Sequence, residues 1–92
     1  MRYEIFYSHE AEEDLRRHAK AGNKILMNKI SKLLLELEEH PETGTGKPKK
    51  LKYRGEEYWS RRIDGKHRME YTIDNEIVNV LLISLWGHYD DK

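Results

Sequence analysis

Arginine, lysine, histidine and tyrosine are the residues of this 92-residue chain that could act together on a phosphate. Nine cations fall within residues 44–68 (Lys47, Lys49, Lys50, Lys52, Arg54, Arg61, Arg62, Lys66 and Arg68) against three acidic residues, a local balance of +6. Residues 1–43 carry −2 and residues 69–92 carry −4, so the chain as a whole is neutral. A phosphate responds to the local field rather than to the net charge. The central block would therefore attract polyanions, although a solvated charged surface is the ordinary reading of such a run. Beyond it, Trp86-Gly87-His88-Tyr89 supplies an imidazole and a phenol after a flexible glycine.

This set suits RNA cleavage by the 2′-hydroxyl, which attacks its own adjacent phosphate. The reaction needs a proton acceptor for the hydroxyl, cations for the dianionic transition state and a proton donor for the leaving oxygen. Histidine titrates near neutral pH and can donate. Arginine grips phosphate oxygens in a fork that lysine cannot reproduce, and tyrosine can stack on an unpaired base. The scheme calls for no metal and no other cofactor. Each residue also has a plainer role open to it. His88-Tyr89 could be a surface or packing pair, Arg68 a cross-strand salt-bridge partner, and Trp59 and Trp86 core or edge aromatics. His9, His18 and His40 lie on or beside helices and receive no assignment.

The elements that must position these residues are legible in the periodicity. Residues 1–7 alternate Tyr3, Ile5 and Tyr7 against Arg2 and Glu4, which predicts a first strand. Ser8 is a good N-cap, with Glu10, Glu12, Glu13 and Asp14 near the helix start, where the dipole favours acids. Gly22 is the expected stop, and Asn23 caps a second helix running from about Lys24 to Glu39. Its stripe is Leu26, Ile30, Leu33, Leu34 and Leu37. His40-Pro41 ends that helix, and Gly44-Thr45-Gly46-Lys47-Pro48 forms a loop. Strands are expected over 50–53, 58–63, 67–73 and 77–85. In the third of these, Met69, Tyr71 and Ile73 face one way, and Arg68, Glu70 and Thr72 the other. Arg61 and Arg62 must lie on opposite faces, so at least one shares the side of Arg68. The run 77–85 is nearly all apolar, as for a central strand covered on both faces.

The order is βαα followed by strands on short turns. It predicts an α+β domain with two N-terminal helices packed on one face of a mostly antiparallel sheet, βααβββ(β). A single domain spanning 1–92 is the default at this length, and no repeat, linker or low-complexity segment divides it. No apolar stretch approaches the roughly 18 residues of a membrane span, so no membrane partner is expected. The absence of cysteine rules out disulfides and thiolate metal sites. A cytoplasmic location fits these features best.

Gly44-Thr45-Gly46-Lys47-Pro48, Leu51-Lys52, Trp59-Ser60-Arg61-Arg62-Ile63, His67-Arg68, Tyr71 and Gly87-His88-Tyr89 together resemble the Txe/YoeB branch of the RelE/ParE toxin superfamily. The similarity covers essentially the whole chain, including Ser8, Glu10-Ala11 and Asp14-Leu15. It implies a RelE-like fold and a type II toxin–antitoxin module whose toxin enters the ribosomal A site and cuts mRNA there. The implied partners are a small YefM-type antitoxin and a second copy of the chain in a homodimer. The resemblance gives Arg68 the stabilisation of the phosphate, and His88 and Tyr89 acid catalysis and positioning. Lys52 and Arg62 would contact the reacting phosphate or its neighbours, and Lys47 and Arg61 belong to the same substrate-binding set.

One position departs from the pattern. The family loop commonly reads Lys-Pro-Glu-x-Leu-Lys, whereas here it is Lys47-Pro48-Lys49-Lys50-Leu51-Lys52, so Lys49 stands where the proposed general base belongs. A protonated lysine cannot accept a proton. This leaves open a catalytically impaired toxin that binds the ribosome or an antitoxin without cutting. Glu70, two residues from Arg68 on the same expected face, could be a displaced base or a structural partner of Arg68. A ParE-like poison of a DNA enzyme is a third reading, against which the Trp-Ser-Arg-Arg and His-Tyr elements speak.

Overall fold

A computed structural model describes residues 2–53, 56–76 and 78–87 of the chain, with the side chains of 53, 56 and 57 excepted. Ser8 and Asn23 start the helices as their short oxygen-bearing side chains allow. Ser8 Oγ accepts the Ala11 N–H at 3.0 Å and Asn23 Oδ1 accepts that of Leu26 at 3.1 Å, opening α1 (His9–Ala21) and α2 (Lys24–Glu39). Gly22 closes α1 at φ 74°, and its N–H returns to the Ala19 carbonyl.

Five strands follow the expected pattern, as β1 (Glu4–Tyr7), β2 (Lys49–Tyr53), β3 (Glu56–Arg62), β4 (Arg68–Asp74) and β5 (Asn79–Ser84). They form one sheet in the order β1-β5-β4-β3-β2. β2, β3, β4 and β5 pair antiparallel, and β1 returns from the start of the chain to pair parallel with β5. The stripe Leu26, Ile30, Leu33 and Leu37 of α2 packs with Ala11 of α1 onto Met69, Tyr71, Val80 and Leu82. Both helices therefore cover the same sheet face. Truncating one of these fully buried leucines to alanine would cost about 2–5 kcal/mol.

The other face is bare, and one expectation fails there. β5 is central but covered on one side only: Val80 and Leu82 are fully buried, while Leu81 is 41% exposed beside its register partner Phe6 at 45%. Its apolar run reflects a β-bulge as well as burial. The register with β4 shifts between Glu70 and Tyr71, so Ile83 is an extra residue rather than part of a simple alternation. Among the described residues, no helix is long and apolar enough to cross a membrane.

Candidate active site

Register places the arginines. Arg62 on β3 is directly opposite Arg68 on β4, so their side chains leave the bare face together. Like charges opposed across a ladder repel, which leaves this spot favourable to an anion. Arg68 is partly held in place, because its guanidinium donates to Ser60 Oγ at 2.7 Å. Ser60 in turn is the register partner of Lys49 on β2 and Glu70 on β4. Lys49, Arg62 and Arg68, with Gly46, Lys47 and Pro48, line a cleft of about 370 Å³. Among the described residues, six line it, four of them cations and none a carboxylate.

The wall carrying Lys47 and Lys49 is pinned from beneath by a buried arginine. Arg61 is the register partner of Met69 and points toward the helices, where it is 0% exposed. Its guanidinium donates to Glu36 Oε1 at 2.9 Å and to the carbonyls of His40 (3.0 Å), Pro41 (3.4 Å) and Thr43 (2.8 Å). Tyr71 Oη adds a bond to the Pro41 carbonyl at 2.7 Å. Glu36 also accepts the Thr45 N–H at 2.8 Å. Burial alone would raise the Glu36 carboxyl, but the Thr45 hydrogen bonds and the Arg61 and Lys32 charges outweigh it and hold it below the ordinary carboxylate range.

Gly46 lets this loop lie flat on β3. Its φ is 88°, its carbonyl accepts the Arg62 N–H at 2.8 Å, and a Cβ there would come 2.6 Å from both Arg61 Cγ and Arg62 O. Lys47 follows at φ 52°, so the chain turns over before β2 begins.

The sequence-derived set thus divides. Lys47, Lys49, Arg62 and Arg68 meet at one cleft. Arg61, expected to bind substrate, instead lies under the loop, out of a ligand's reach, because strand alternation turns it inward. Lys52 is exposed but three residues beyond Lys49 on β2, so alternation sends it to the opposite face, and it does not line the cleft. Glu70 accepts the Ser84 hydroxyl at 3.2 Å. His88 and Tyr89 lie outside the described residues, but the chain leading to them is fixed. The Gly87 carbonyl accepts the Arg68 backbone N–H at 3.1 Å.

Two histidines that sequence reasoning left unassigned sit behind this connection. His18 is fully buried, with Nε2 donating to the Leu85 carbonyl at 2.9 Å. His67 is 5% exposed, and its Nδ1 accepts the Gly87 N–H at 2.8 Å. The two rings and Trp86 lie mutually 4.6–4.7 Å apart, and the Arg17 guanidinium stacks over Trp86 at 3.8 Å. A signal for both existed. His18 continues the Ala11, Asp14 and Leu15 face of α1, and His67 precedes Arg68 and so falls on the helix side. Among the described residues, no cluster of three or more histidine, aspartate or glutamate side chains is arranged to hold a metal ion.

Two helices on one face of this sheet, with a cationic cleft on the bare face, define a toxin of the RelE-like fold. The chain belongs to the family of YoeB-like toxins of bacterial type II toxin-antitoxin systems, whose profile matches residues 7–89. It is 40% identical to Toxin YoeB of Synechocystis sp. over 68 residues, 74% of this chain and 77% of that protein. The YoeB dimer of Staphylococcus aureus superposes with a TM-score of 0.79 at 34% identity, covering 97% of this chain and 100% of that one. The Staphylococcus aureus toxin in its heterotetrameric YoeB-YefM toxin-antitoxin complex superposes with a TM-score of 0.77 at the same identity and coverage.

Proposed function

We propose that this toxin is a ribosome-dependent endoribonuclease that cuts mRNA in the A site, with a YefM-type antitoxin as its partner and a homodimer as its assembly. The observation that carries the reading is the convergence at one cleft of Arg62, Arg68, Lys47 and Lys49. In the reaction the mRNA 2′-oxygen bonds to phosphorus and the P–O5′ bond breaks, leaving a 2′,3′-cyclic phosphate and a free 5′-hydroxyl. Arg62 and Arg68 balance the charge that accumulates on the phosphoryl oxygens. His88 delivers a proton to the departing 5′-oxygen, and Tyr89 orients the nucleotide. The proton of the 2′-hydroxyl leaves to water. The partner and the dimer are proposed from the Staphylococcus aureus relatives, whose complex and dimer share this chain's fold.

Lys49, lining the cleft where the family loop commonly carries a glutamate, favours a second reading, a toxin that occupies the ribosome or its antitoxin without cutting. One experiment separates the two. Translating ribosomes are incubated with the parent, Arg68→Ala and Lys49→Glu proteins, and new RNA ends are mapped by primer extension. The ribonuclease reading expects ends within codons for the parent and a loss of about 10²–10³ in rate for Arg68→Ala. It expects a faster Lys49→Glu enzyme if the site lacks its base, since a general base contributes about 10²–10⁴. Ribosome binding without new ends, in the parent protein, would establish the second reading instead.

A further inference from the structure

β4 carries opposite charges two residues apart on the bare face, Arg68 and Glu70. Two residues along a strand span about 7 Å, within the joint reach of two side chains this long. An ion pair between them would neutralise a cation that the cleft offers to a phosphate. Instead, each is held by a different serine. The Arg68 guanidinium donates to Ser60 Oγ at 2.7 Å, and Glu70 Oε1 accepts the Ser84 hydroxyl at 3.2 Å. Ser60 is 0% and Ser84 2% exposed, so both hydroxyls act out of bulk water, where a hydrogen bond is stronger.

Ser84 meets Glu70 because of the β-bulge. From Asp74 opposite Asn79 to Tyr71 opposite Leu82, the register of β4 on β5 is regular. Continued without a break, it would set Ile83 opposite Glu70. The shift between Glu70 and Tyr71 sets Ser84 there, replacing an aliphatic side chain by a hydroxyl. The bulge is pinned on both sides by α1 and its cap. The Ile83 carbonyl accepts the Ser8 hydroxyl at 2.8 Å, and the Leu85 N–H donates to Asp14 Oδ2 at 2.9 Å. One row of the sheet therefore reads Lys49, Ser60, Glu70 and Ser84 from β2 to β5, beside the row of Arg62 and Arg68.

We propose that Ser84 is a positioning residue, whose hydroxyl, delivered by the bulge, turns the Glu70 carboxylate toward β5 and so keeps it from neutralising Arg68 at the phosphate cleft. Its part in RNA cleavage rests on the ribonuclease reading above; the separation of the two charges does not. Without the hydroxyl, a part-buried carboxylate loses its donor and must find another. Arg68 is the cation on its own strand face. A guanidinium that pairs with a carboxylate gives up to it the fork that would grip phosphate oxygens.

Inorganic phosphate, titrated at constant ionic strength against the Gly46 and Lys47 amide resonances, reads the cleft without RNA. Ser84→Ala should weaken phosphate binding roughly fivefold, the factor that a part-exposed ion pair can supply. Adding Glu70→Gln to that variant should restore the parent affinity. Glu70→Gln alone should leave the affinity nearly where it was, because the carboxylate is already turned aside. On translating ribosomes, Ser84→Ala should lower kcat by a similar factor, and Glu70→Gln should again restore it. A Ser84→Ala protein that binds phosphate like the parent overturns the proposal. So does a loss that Glu70→Gln fails to restore, which marks ordinary damage to the sheet, and so does a parent that binds no phosphate. If Ser84→Ala does not fold, Glu70→Gln decides alone. Unchanged binding upholds the separation, whereas binding about fivefold tighter would show that Glu70 already neutralises Arg68. A parent that cleaves RNA while Ser84→Ala cleaves equally overturns the role in the reaction and leaves the ribonuclease reading standing. A parent that releases no RNA ends refutes the ribonuclease reading and that role with it, and the phosphate titration then decides the separation.

Discussion

Replacing Arg61 by methionine separates a substrate contact from a structural one. The guanidinium is fully buried and donates to one carboxylate and three backbone carbonyls. Hydrogen bonds to charged groups contribute about 1.5–3 kcal/mol each, but four that share one side chain do not add. Removing one partner of a buried ion pair costs about 3–5 kcal/mol. The Glu36 side chain retains 18% exposure and recovers some hydration, which points to the low end, about 3 kcal/mol. For a chain of this length that corresponds to a fall in Tm of roughly 12–24 °C. Urea denaturation of the parent, Arg61→Met, Glu36→Gln and the double variant closes a thermodynamic cycle. Glu36→Gln should recover part of the Arg61→Met loss, because it removes the stranded carboxylate. An Arg61→Met protein within about 0.5 kcal/mol of the parent that nonetheless loses ribosomal cleavage would mean that Arg61 meets the RNA, and the loop-pinning argument would be refuted.

Gly46→Ala should destabilise the fold by about 1–3 kcal/mol in a thermal melt, since its Cβ would press on Arg61 and on the Arg62 carbonyl at a positive φ. Gly65→Ala, where nothing lies within 4 Å of the added carbon, serves as the comparison and should be nearly silent. Acid should weaken the protein in two stages. The His67 contribution is complete above its ordinary value of 6.5 and fades as pH falls through the lowered folded value. Glu36 and Asp64 contribute fully above their ordinary 4.5 and 3.8 and lose that contribution at more acidic pH. For Asp64, burial is outweighed by the backbone N–H groups of Lys66 and His67. Urea midpoints that rise between pH 7 and pH 5 would contradict this sign.

The helices and most strand positions were legible because short-range rules decide them. Caps at Ser8 and Asn23, the stop at Gly22 and the leucine stripe of α2 need no distant partner. Alternation likewise put Arg68 opposite Met69 and Tyr71, and required one of Arg61 and Arg62 to join it. What alternation could not reveal is that the inward arginine donates to carbonyls about twenty residues earlier in the chain. A buried guanidinium becomes tolerable only once that loop is folded over it. The same holds for His67, whose partner Gly87 is twenty residues away. The parallel return of β1 to β5 is longer-range still, joining Phe6 to Leu81. Lys52 was assigned from the resemblance, and simple parity with Lys49 already argued against a shared face.

The opposed guanidiniums of Arg62 and Arg68 have a thermodynamic corollary. Folding brings these two like charges to facing positions of one ladder, a repulsion that the extended chain does not bear. Any anion that settles between them relieves the penalty and adds RT ln(1 + [L]/Kd) to the free energy of unfolding, about 2.7 kcal/mol at a hundredfold excess over Kd. Sulfate or phosphate should therefore protect this toxin against heat beyond what ionic strength explains.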